Sequence, residues 1–127
     1  PMPRYTTVSG IPLPDLMPKK EIDELVQRTR DGGAEIVKLL KTGSAYYAPG
    51  ASVVAMVEAI LKDENRILPC AAYLQGEYDL KDVVVGVPVK IGEGGIKEIV
   101  QLKLNDEEAQ GLRKSAEIVM ENIRLVK

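Results

Sequence analysis

Apolar residues recur at helical spacing over three stretches of the first half of the chain. Between Lys19 and Arg30, Ile22, Leu25 and Val26 share a face, with Pro18 at the start and Gly32-Gly33 just past the end, so the spacing predicts a helix there. A second helical piece, Ala34 to Leu40, carries Ile36, Val37 and Leu40 and should stop at Gly43. The two pieces are either separate or one interrupted helix. From Tyr47 to Lys62, Val53, Val54, Met56, Val57, Ile60 and Leu61 make a face broad enough to predict a largely buried helix. Pro49 is tolerable because it falls in the first turn.

After the polar turn Asp63-Glu64-Asn65 the period changes. Three β-prone segments follow in close order, Arg66–Leu74, Asp82–Ile91 and Ile96–Leu104, which suggests an antiparallel meander. The run from Val83 to Val89 is nearly all apolar, as in a strand covered on both faces, and Gly86 with Pro88 hints at a bulge. The third segment sets Val100, Leu102 and Leu104 against Lys97, Gln101 and Lys103, the alternation of an edge strand with one wet face.

Asn105 can cap a last helix and Glu108 can complete a capping box. That helix, running toward Arg124, presents Ala109, Leu112, Ala116, Val119, Met120 and Ile123 as a stripe able to cover the meander. The opening, Pro1 to Pro18, holds five of the eight prolines and the β-prone Tyr5-Thr6-Thr7-Val8, so it reads as extended chain with one short strand that expects an upstream element to pair with. The expected fold is α+β, an antiparallel three-stranded meander covered by amphipathic helices, in one domain over residues 1–127.

Composition narrows the function. Seventeen basic against nineteen acidic residues give a net charge of −2, without the positive face that a phosphate backbone demands, so nucleic acid is not an expected partner. No apolar run approaches the roughly 20 residues that span a bilayer, and Pro1-Met2-Pro3-Arg4 lacks a signal-peptide pattern, so a soluble cytoplasmic protein with no membrane partner is expected. The lone Cys70, within the apolar run from Ile67 to Ala72, reads as a core residue and not as a reactive thiol. There is no histidine, which removes the usual acid/base group and sets aside zinc sites and Ser-His triads.

Gly92-Glu93-Gly94-Gly95 joins strand to strand, so it reads as a hairpin turn; phosphate-cradling loops open onto a helix. Asp63-Glu64 and Asp106-Glu107-Glu108 sit where turns and caps favour acids, and no calcium-loop pattern occurs, so no metal site is expected. The stretch from Thr42 to Gly50 combines small residues and two tyrosines at a helix entrance and could line a pocket. Spacing alone favours the plainer reading, in which Ser44 caps and the tyrosines pack.

Resemblance adds to this. The segments Pro3 to Leu13, Gly33 to Leu39, Gly43-Ser44-Ala45-Tyr46-Tyr47-Ala48-Pro49-Gly50-Ala51-Ser52, Gly76-Glu77-Tyr78 and Val83 to Pro88, followed by the acidic opening of the last helix, resemble in order the C-terminal domain of the lactate/malate dehydrogenase family. They are most similar to its bacterial, lactate-dehydrogenase-like malate branch. The resemblance implies hydride transfer between malate or oxaloacetate and NAD, with the catalytic histidine of a Gly-x-His-Gly segment just upstream of Pro1. It also implies that the NAD-binding N-terminal domain and the arginines that clamp the substrate carboxylates lie outside this chain.

On that reading no catalytic residue is expected here. Ala45 and Ser44 would border substrate, Pro49 would pack near the nicotinamide, and an alanine at 45, where lactate-using relatives usually have threonine, leans toward malate. The resemblance further implies a homo-oligomer, dimer or tetramer, and an isolated chain without activity. The alternatives are a non-catalytic oligomerisation module and a fragment of an L-lactate dehydrogenase.

Overall fold

The computed structural model describes residues 1–126. They fall into two units, Pro1–Gly50 and the chain from Ala51 onward. In the first, β1 (Thr7–Val8) and β2 (Ile11–Pro12) form an antiparallel ribbon in place of the single strand expected. Ser9 and Gly10 both take positive φ at its turn, the geometry that matches the twist of a tight hairpin. A single turn, α1 (Leu13–Leu16), then leads through Pro18 into α2.

α2 is one uninterrupted helix, Lys19–Leu40. Gly32 and Gly33 do not end it, because glycine keeps its N–H: each costs about 1 kcal/mol in a helix interior without removing a ladder bond. The pair Lys19–Asp23, at 2.6 Å, lies before that weak point and Arg28–Glu35, at 3.1 Å, spans it. Being exposed, they contribute little. The helix ends where Lys41, at φ 63°, donates its N–H to the Val37 carbonyl at 3.0 Å, and Gly43 at φ 82° turns the chain away.

α3 (Tyr47–Leu61) begins at the end of the first unit. Beyond it, β3 (Arg66–Gln75), β4 (Lys81–Gly92) and β5 (Gly95–Ile99) form the expected antiparallel meander in the order β3-β4-β5. One face of this sheet carries the core: Ala72, Leu74, Val83, Val85, Val87, Val89 and Ile91 are buried. Over it lie Met56, Ala59 and Ile60 of α3 and Leu112, Ala116, Val119 and Met120 of α4 (Asp106–Val126). Ala59 and Ala116 are fully buried; their small side chains allow the helices to approach the sheet closely.

The opposite sheet face is open, and the expectation of a strand covered on both sides fails. Val84 is 43% exposed although Val83 and Val85 are buried, because a period of two sends neighbours to opposite faces. α3 departs in the same way: Val53, Val54 and Val57 are about half exposed and Leu61 is 80% exposed, so its broad apolar face is only partly used within this chain. Gly86 and Pro88 make no bulge. They pair regularly with Ala71 and Pro69, and the register shifts instead at Leu74/Gln75 and Lys90/Ile91.

The facing prolines are informative. Neither Pro69 nor Pro88 has an N–H, so they must form a pair without mutual hydrogen bonds. The Pro88 carbonyl accordingly turns to the side of β5 and accepts from the N–H of Val100, the residue just after that strand, at 2.9 Å. Pro69 therefore points its donorless nitrogen to the outer edge of β3, where it interrupts a template for further strand addition.

β5 stops at Ile99, five residues short of the expected end. Beyond Val100 its ladder is replaced by a side chain. The Tyr78 hydroxyl donates to the Val100 carbonyl at 2.6 Å and accepts from the Leu102 N–H at 2.9 Å. Alternation still persists, with Leu102 and Leu104 half-buried and Gln101 and Lys103 exposed. The predicted capping box forms: Asn105 Oδ1 accepts from the Glu108 N–H, and a Glu108 carboxylate oxygen accepts from the Asn105 N–H, each at 2.9 Å. Among the described residues no helix is long and apolar enough to cross a membrane.

Candidate functional site

The junction between α2 and α3 is built from short-range causes. The left-handed residues Lys41 and Gly43 end one helix and reverse the chain. Ser44, Ala45 and Tyr46 run without regular structure, and the Gly50 N–H then closes the first turn of α3 onto the Tyr46 carbonyl at 2.9 Å. Pro49 occupies the third helical position, where its missing donor costs no ladder bond.

Ser44, Ala45 and Pro49 are thus brought into one short junction, while the acidic clusters are not part of it. Of the residues from Thr42 to Gly50 only Ala45 is partly shielded; Ser44 and Pro49 are exposed. Tyr46 and Tyr47 stack on one another, ring centroids 4.8 Å apart, and both are exposed, so they do not pack into the chain's interior.

From Thr42 to Gly50, just past the C-capping Lys41, the junction contains no Asp, Glu, Lys, Arg or His. Its polar groups are hydroxyls and backbone amides. Such a surface can shape a pocket and exclude water, and it holds none of the carboxylate, imidazole or amine groups that usually serve as general acids and bases. Between Thr42 and Gly50 there is also no cation to neutralise a carboxylate.

Several ionisable groups elsewhere have structural work. Asp63 accepts from the Glu93 N–H at 2.7 Å and lies 3.9 Å from the Lys97 ammonium, fastening the Gly92–Gly95 hairpin to the turn after α3. At Gly92 a Cβ would stand 2.5 Å from an Asp63 carboxylate oxygen, so glycine is needed for that approach. Asp106, Glu107 and Glu108 occupy the first turn of α4, as the cap reading requires. Among the described residues no group of three His, Cys, Asp or Glu could hold a metal ion.

The Cys70 thiol, half-buried and 3.5 Å from the Met56 sulfur, is pushed above its ordinary range by burial, which suits a packing role. The Tyr73 phenol, 2.7 Å from Asp82, is raised by donating its proton to that carboxylate. The Glu77 carboxyl is held below its usual range chiefly by the Gln75 N–H at 2.7 Å. Sequence reasoning overlooked the Tyr78 bridge. Its only sign was a tyrosine beside Gly76 in a strand-to-strand connection.

The family model for the lactate/malate dehydrogenase α/β C-terminal domain matches residues 4–127. The chain belongs to the lactate/malate dehydrogenase family. It is 58% identical to malate dehydrogenase of Methanosarcina mazei over 97% of this chain and 40% of that protein. With malate dehydrogenase of Roseiflexus castenholzii the identity is 56% over the whole chain and 41% of that protein.

Among solved structures, malate dehydrogenase from Salinibacter ruber matches at a TM-score of 0.94 and 53% identity, covering 98% of this chain and 40% of that one. Lactate dehydrogenase from Eimeria maxima with NADH and oxamate also matches at 0.94, with 40% identity over 99% of this chain and 41% of that one. The chain therefore spans about two-fifths of the length of these dehydrogenases. Its meander under two helices is the C-terminal architecture of the family, and the α2–α3 junction belongs to that domain.

Proposed function

We propose that this chain is the substrate-side domain of an NAD-dependent malate dehydrogenase that interconverts malate and oxaloacetate, within a cytoplasmic homo-oligomeric parent. The observation that carries the reading is the uncharged junction from Thr42 to Gly50, in a chain whose similar relatives at 58% and 56% identity are malate dehydrogenases. Malate carries two carboxylates, and binding them requires cationic, preferably bidentate donors. The junction has none, so the clamp and the histidine that takes the hydroxyl proton are assigned to the parent's other part.

What the junction contributes is volume and dryness. The Ala45 methyl, the shielded group of the loop, borders the reacting carbon and leaves room that a larger side chain would fill, and Ser44 flanks it with a hydroxyl. Pro49 is apolar, rigid and exposed at the helix entrance, a surface suited to the flank of a nicotinamide ring. NAD, when bound, supplies the hydride-accepting centre. Excluding water around it strengthens the electrostatic interactions that orient the substrate.

Complementation tests this reading. Mixing the chain with a separately made N-terminal half should yield NADH oxidation that depends on oxaloacetate and is weaker with pyruvate. A preference for pyruvate would favour the lactate dehydrogenase alternative. The exposed valines of α3 favour a second reading, an assembly module, under which the mixture would associate without turnover.

A further inference from the structure

We draw no further inference here: the strongest candidate, the uncharged outward stripe of α3 formed by Val53, Val54, Val57 and Leu61, carries no proposal because nothing in the structure shows what covers it.

Discussion

The Tyr78 hydroxyl spans the connection after β3 and the backbone after β5, 2.6 Å from the Val100 carbonyl and 2.9 Å from the Leu102 N–H. The Tyr78 backbone adds a bond to Gln101 Oε1 at 3.1 Å and holds the residue at φ 56°, a conformation unfavourable for a bulky side chain. Tyr78→Phe keeps the ring and removes both hydroxyl bonds. Leaving half-buried backbone groups unpaired should cost about 1–3 kcal/mol in urea unfolding. A loss below about 0.5 kcal/mol would show that the hydroxyl is dispensable.

A contrast on β3 tests the one-sided core. Leu74 is fully buried, whereas Ile67 on the open face is 59% exposed. Leu74→Ala should destabilise by about 2–5 kcal/mol, through lost burial and a residual cavity. Ile67→Ala should fall within about 1 kcal/mol of the parent chain. Equal losses would mean that both faces are covered.

The capping box predicts a smaller effect. Asn105→Ala removes the acceptor for the Glu108 N–H and should cost about 1 kcal/mol. Thermal unfolding followed by helical circular dichroism would register it. An unchanged midpoint would show that water replaces the cap.

Glu77 gives a pH prediction with a definite sign. Its folded pKa is depressed, so the deprotonated form favours the folded state. That contribution is fully present above the ordinary glutamate value of about 4.3 and disappears as pH falls through the lower folded value. Glu77→Gln should therefore narrow the stability difference between neutral and acidic solution. If the acid limb of the unfolding curve were unaltered, the carboxylate's bond to the Gln75 N–H would be energetically idle.

How legible was this in the sequence? Periods of two and of 3.6 placed the meander and the helices, and the Asn105–Glu108 box appeared as read, because each depends on neighbours in the chain. Failures came where distant groups or missing cover decide. Gly32-Gly33 looked like a stop, but they sit inside a 22-residue helix whose other residues sustain it. The apolar run from Val83 to Val89 looked doubly covered, though only alternate valines meet the helices.

The end of β5 depends on a tyrosine more than twenty residues away, beyond the reach of any local pattern. For the site, the absence of charged residues from Thr42 to Gly50 is a property of the sequence. The shielding of Ala45 and the exposure of Ser44 and Pro49 needed the fold, while the roles proposed for them rest on the family resemblance.

The proposed role for this chain is to supply a wall, uncharged from Thr42 to Gly50, and none of the proton-transfer groups. The most direct measurement is an assay of the purified chain alone with NADH and oxaloacetate, after intact-mass analysis has excluded a companion polypeptide. The account predicts no oxidation of NADH above the buffer rate. Sustained oxaloacetate-dependent oxidation by the chain alone would contradict it.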